Sequence, residues 1–156
     1  MKTLTVKKLA EISVQIRTIQ KIDLTMTIET HHTNSLKIAE IISDEIILRS
    51  VEDGLDLLGD LYYQGFDKIL IHEKNITPDF FDLKTKIAGE ILQKFAQYRM
   101  PLIIIGDFAK CETQSLTDFI YESNKGRQIN FVGSLSEAIK RYLIGSLGFA
   151  ILRKEI

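Results

Sequence analysis

The sequence predicts a single α/β layer sandwich: an N-terminal hairpin followed by alternating helices and a largely parallel sheet. Three observations lead there. Short aliphatic runs stand at 68–73 (KILIHE), 102–106 (LIIIG) and 129–133 (INFVG). Runs this short and rich in β-branched residues, closed by glycine or polar turns, are strands buried on both faces. Helical periodicity fills the intervals between them, and strand alternating with helix implies right-handed crossovers and parallel pairing. Upstream, LTMTIETHHTNSLKIAEII alternates on both sides of a polar HHTNS turn, the pattern of a hairpin.

Each element follows in order. A short strand is expected at Ile46–Leu48, and Val51, Leu55, Leu57, Leu58 and Leu61 mark a first helix over 51–63. In 78–98, Phe80, Leu83, Ile87, Ile91 and Phe95 recur at helical spacing, giving a central helix. Its start has two readings. Thr77 can cap it with Pro78 in the first turn, or Asp82 can cap a helix that begins after a tight PDFF turn. In both, Phe80 and Phe81 either pin the helix start into the core or meet a ligand or partner. Gly89 within this helix implies close approach of another backbone, because glycine there otherwise costs about 1 kcal/mol. Leu116, Phe119 and Ile120 mark a helix over 115–125 closed by NKG, and Ser134 or Ser136 opens a last helix over 134–143.

Residues 1–25 stand ahead of these elements as an N-terminal extension, and 143–156 follow them as an apolar tail. A chain of 156 residues suits one buried domain. Its 45% apolar and 26% charged content excludes intrinsic disorder. Residues 1–22 hold five bases against Glu11, a net +4 in a chain of net −1, so the remainder carries −5. The lone Cys111 fits a reducing cytoplasm, and no signal peptide is recognised at the N-terminus. The run YLIGSLGFAIL is about half of what spans a bilayer, so no membrane association is expected. Its apolar residues call for packing on the sheet or in a homodimer, and both remain open.

The candidate site lies at the carboxyl ends of the strands, where ligands gather in parallel sheets. Glu73, Lys74, Asn75, Asp107, Phe108, Lys110 and Ser134 are placed there, with helix starts at Thr77, Ser115 and Ser134. Asp107, directly after IIIG, is either a functional carboxylate or a solvated loop acid. Residues Tyr121 to Arg127 (YESNKGR) suit recognition of a partner, or a plain helix end capped by Gly126. His31 and His32 sit in the expected turn and, with His72, show no recognisable metal spacing, so no metal or cofactor is expected. Phosphate loop, serine elbow and Cys/His pair are all lacking.

The stretches FFDLKTKIAGEILQKF, PLIIIGDF and SLTDFIYESNKGRQINFV resemble the uncharacterised bacterial DUF 4180 family over residues 26–142. Where that family has a glycine after DLKT, this chain has Lys86, which reads as a surface-level departure. The element order also resembles the STAS (anti-sigma-factor antagonist) architecture, which implies a small regulatory module binding a partner protein. The regulatory serine of such modules has no DSSG-like turn here, and Thr77 in KNITPDFF is the one hydroxyl available. Residues 1–23 resemble the opening helix-turn-helix of MerR-type regulators through LTVKKLAEISVQIRTIQKID. The resemblance implies that Lys8, Gln15, Arg17, Thr18 and Lys21 meet DNA. The turn glycine between Ser13 and Val14 and an aromatic pair near Lys21 are missing, and alternation at Ile12, Val14 and Ile16 also allows a strand.

Three functions are therefore expected, in order. The first is a non-catalytic regulatory module binding a protein partner or small ligand through Thr77, Asp79, Asp82, Asp107, Lys110 and Arg127. The second is a DNA-linked regulator with a sensing α/β body. The third is a small hydrolase or transferase using Asp107 and Glu73.

Overall fold

The computed structural model describes residues 26–33 and 35–143. The basic head with its helix-turn-helix resemblance, and the tail from residue 144 onward, lie outside the described residues. Strands β1 (Thr27–Thr33) and β2 (Leu36–Ile42) form the antiparallel hairpin. Its turn is shorter than expected. His31 and His32 belong to β1, opposite Ile38 and Lys37, because the pairing with β2 continues unbroken as far as Thr33 and Leu36.

Helix α1 (Val51–Tyr63) has the expected bounds, and the Asp53 N–H donates to the Ser50 hydroxyl at 3.2 Å to cap it. The strand expected at Ile46–Leu48 reduces to one parallel bridge between Leu48 and Ile76. Both the Ile47 and the Leu48 N–H donate to the single carbonyl of Asn75, at 2.8 and 3.0 Å, so no alternating ladder forms. Strands β3 (Lys68–His72), β4 (Leu102–Ile105) and β5 (Ile129–Val132) follow the three aliphatic runs.

The central helix is broken into three. A single turn α2 (Pro78–Phe81) leads into a 3-10 turn (Leu83–Thr85), and α3 proper is Ile87–Gln97. Asp82 breaks it: its backbone is extended (φ −89°, ψ 98°), and its carboxylate accepts the Lys84 N–H at 3.1 Å. Thr77 makes no side-chain cap. The Thr85 hydroxyl lies 2.6 Å from the Asp79 carbonyl and 2.8 Å from that of Asp82, tying the turns together. The close approach expected at Gly89 is absent, since a Cβ there would meet nothing within 4 Å. Gly54 of α1 packs close instead: a Cβ added there would stand 3.4 Å from the Ile91 side chain of α3.

Helix α4 (Gln114–Lys125) is capped by Thr113, not Ser115: the Leu116 N–H donates to the Thr113 hydroxyl at 3.3 Å. Helix α5 (Leu135–Ala138), capped by Ser134, runs into a π-type turn over Ile139–Leu143. The sheet order is β1-β2-β3-β4-β5, antiparallel at the first pair and parallel thereafter. Successive right-handed crossovers in one direction place α1, α3 and α4 on one face. There Ala39, Ile41, Ile69, Ile71, Leu102 and Ile104 meet Leu58, Leu61, Ile91 and Phe95 in the main core. On the second face Ile38, Leu70, Ile103, Ile105 and Val132 pack with Ala138 of α5. Among the described residues, no helix is long and apolar enough to cross a membrane.

Candidate functional site

At the carboxyl ends of β3 and β4 the chain turns away into two polar segments, 73–84 and 106–116, and a groove of about 1150 Å³ opens between them. Its volume exceeds the roughly 300–1,000 Å³ of small-molecule pockets. Ile46, Ile76, Phe81, Leu83, Phe108 and Leu116 give it apolar walls. Charges of both signs rim it: Glu73, Asp82, Asp107 and Glu112 against Lys74, Lys84 and Lys110.

Glu73 holds the two walls together. Its Oε2 accepts the Asp107 N–H at 3.0 Å, and its side chain lies against Gly106, where an added Cβ would collide with the carboxylate and stand 2.6 Å from the Glu73 Cβ. The glycine of LIIIG is thus required by contact with a neighbouring side chain. Asn75, fully buried, braces the same wall from behind, its Nδ2 donating to the carbonyls of Ser43 and Glu45 at 2.8 Å each.

The two phenylalanines of PDFF divide their work. Phe80 is 1% exposed and belongs to the core, whereas Phe81 is half-buried and lines the groove. An aromatic chain runs through the site: Phe80 to Phe81 at 5.1 Å, Phe81 to Phe108 at 6.1 Å, and Phe108 to Phe131 at 5.2 Å between ring centres. Such pairs add order to the wall beyond the area they bury.

Of the residues expected to form the site, Asp82, Asp107 and Lys110 line the groove. Asp107 is exposed and paired with Lys110 at 3.4 Å. Thr77 stands just behind, its N–H donating to the Leu48 carbonyl at 2.9 Å, and Asp79 contributes its carbonyl to Thr85 without lining the groove. Arg127 does not join them. It precedes the four-residue β5 and so lies at the amino ends of the strands, about 13 Å from the groove at roughly 3.3 Å per residue. There its charge reaches Lys68, whose ammonium is lowered from its ordinary range by burial first and by Arg127 second, against the opposing pull of Asp67. Cys111 also lines the groove. Burial raises its thiol, the Glu73 and Asp107 carboxylates raise it further, and a hydrogen bond with Thr117 opposes them, leaving a poor nucleophile.

Sequence reasoning missed Ile46 and Leu83 as wall residues and favoured Phe81 as a core anchor over a contact residue. It also missed Glu40, a buried carboxylate on β2 whose place in LKIAEII makes it the one charged residue after Lys37 in a run of apolar ones. That interruption was the available signal.

Comparison with protein-family models matches residues 33–142 to "Domain of unknown function (DUF4180)". Neither curated proteins nor solved structures return a match. The matched span covers β2 through α5, and with it the groove and both of its walls; the chain belongs to the DUF4180 family.

Proposed function

We propose that this chain is a non-catalytic, partner-binding module that docks a peptide segment of another protein in the groove at the ends of β3 and β4. The supporting observation is the pairing of an open apolar floor with a rim carrying both charge signs. The fitting occupant presents two or three apolar side chains interspersed with both basic and acidic residues. The small regulatory module implied by the STAS resemblance is consistent with this reading. The hydrolase reading gains no support from the geometry, because Asp107 is exposed beside Lys110 and general acid–base work favours a carboxyl shielded from water.

Panning a displayed library of random peptides against the full chain tests the proposal. Enrichment of sequences with spaced apolar anchors is expected, their binding lost in Phe81→Ser and weakened in Asp107→Ala. Peptides that bind Phe81→Ser as well as the parent chain, or no enrichment at all, would refute it.

A second reading rests on the charge of the head, five bases against one acid in residues 1–22. It makes the chain a DNA-linked regulator. Binding to its own upstream DNA by the full chain, and not by a chain starting at Met26, falling steeply with salt, is the expected result. Equal or absent binding by both chains eliminates it.

A further inference from the structure

The second face of the sheet carries a cluster unrelated to the groove. Glu29 and His31, two apart on β1, point to one side of the hairpin, and Glu40 on β2 stands directly opposite Glu29. His31 Nε2 lies 2.7 Å from Glu40 Oε2, and His72 Nε2, from β3, lies 2.8 Å from Glu40 Oε1. The Glu40 side chain is 6% exposed, while those of the two histidines are 26% and 27% exposed. One ligand atom each from Glu29, His31 and Glu40 falls within 4.8 Å of the others.

We propose that Glu29, His31 and Glu40 bind a divalent first-row transition-metal ion, with His72 orienting Glu40 from behind. Two carboxylates brought this close on a partly buried surface repel each other, and Glu29 has no ion-pair partner among the described residues. A cation between them removes that repulsion. The donor set selects the class of ion: imidazole with carboxylate oxygens suits zinc or a neighbouring first-row ion, whereas magnesium and calcium take oxygen donors. Zinc bonds of about 2.0–2.2 Å place ligand atoms roughly 3.3–3.6 Å apart, so His31 and Glu40, now 2.7 Å apart, part by somewhat under an ångström as the ion replaces their hydrogen bond, and the Glu29 carboxylate swings in to meet it. His72 then completes the arrangement usual for metal-bound carboxylates, a hydrogen bond to the oxygen left free. The exposed edges of His31 and Glu29 leave room for water or a further ligand on the ion.

Zinc chloride titrated into the tag-free full chain, in competition with a chromophoric chelator, tests the proposal. One ion per chain at micromolar affinity is expected. Glu29→Gln, on an exposed position, and His31→Gln each weaken binding by more than the roughly tenfold to hundredfold that loss of an outer-shell partner costs, with urea midpoints near that of the parent chain. His32→Gln, on the opposite face, and Cys111→Ser leave it unchanged. Cobalt added in place of zinc gives visible absorption that Glu29→Gln alters. No binding at micromolar zinc, or equal loss in His32→Gln and His31→Gln, overturns the assignment.

Discussion

Lys86 holds a left-handed backbone, φ 66°, at the junction between the 3-10 turn and α3. A side chain there costs about 1–2 kcal/mol relative to right-handed backbone. The glycine that the family resemblance leads one to expect at this place would hold that backbone without strain, so the lysine is a conformational departure and not the surface-level one it resembles in the sequence. Lys86→Gly is expected to stabilise the chain by about 0.5–1 kcal/mol, the strain relieved less the added freedom of the unfolded glycine. Gly89, three residues on, makes the opposite case, because its helical backbone has empty space where a Cβ would go. Gly89→Ala is expected to stabilise by a similar amount, roughly 0.5–1 kcal/mol. Urea midpoints of both variants check the pair. Neither site was legible from residue type: a lysine does not announce its φ, and a helical glycine does not say whether its neighbour lies on the same helix face or elsewhere.

At the scale of elements, PDFFDLKTK shows how one segment serves both core and groove. Its periodicity marks the whole of 78–98 as helical, yet the Asp82 carboxylate takes the Lys84 N–H and turns the chain before α3 begins. The local hydrogen bond wins because it satisfies a donor that a new helix start would leave open. The break lets Phe80 point inward while Phe81 faces the groove. Phe80→Ala is expected to cost about 3–5 kcal/mol of stability, as for other fully buried rings. Phe81→Ala is expected to cost clearly less in stability and to weaken capture of a selected groove peptide by at least about tenfold, roughly 1.4 kcal/mol. Chemical denaturation and peptide titration on the same two variants separate the roles. The aliphatic strands, α1 and the hairpin were legible because burial dictates their residue types. The groove was legible as a location, the strand ends, and in its polar rim of Glu73, Asp82, Asp107 and Lys110, but not in most of its apolar walls. Its unforeseen apolar walls include Ile46 and Leu83, far apart in sequence, and Asn75 ties the segment just before Ile46 to the end of β3 through the Ser43 and Glu45 carbonyls.

The whole molecule has two ends, and Arg127 shows which is which. Sequence places it beside Asp107 as another polar loop residue; the parallel sheet sends it to the opposite end, next to Lys68. Because the folded state lowers the Lys68 ammonium, the folded chain holds that proton less tightly than the unfolded chain does. Stability from this group therefore rises as pH climbs through its lowered folded value toward the ordinary 10.5. Arg127→Gln removes a like charge and is expected to flatten that rise while leaving groove-peptide binding unchanged, measured as urea midpoints from pH 8 upward alongside peptide titration.

The strand order carries one more consequence. Each strand hydrogen-bonds to the strand made just before it, without exception across the sheet. On a ribosome the sheet can therefore grow edgewise in the order of synthesis, every new strand meeting a partner that has already emerged. No gap must be held open for a later strand to be inserted. Until β5 is released, the exposed edge of the growing sheet is β4, whose four residues Leu102–Ile105 are all buried in the finished protein.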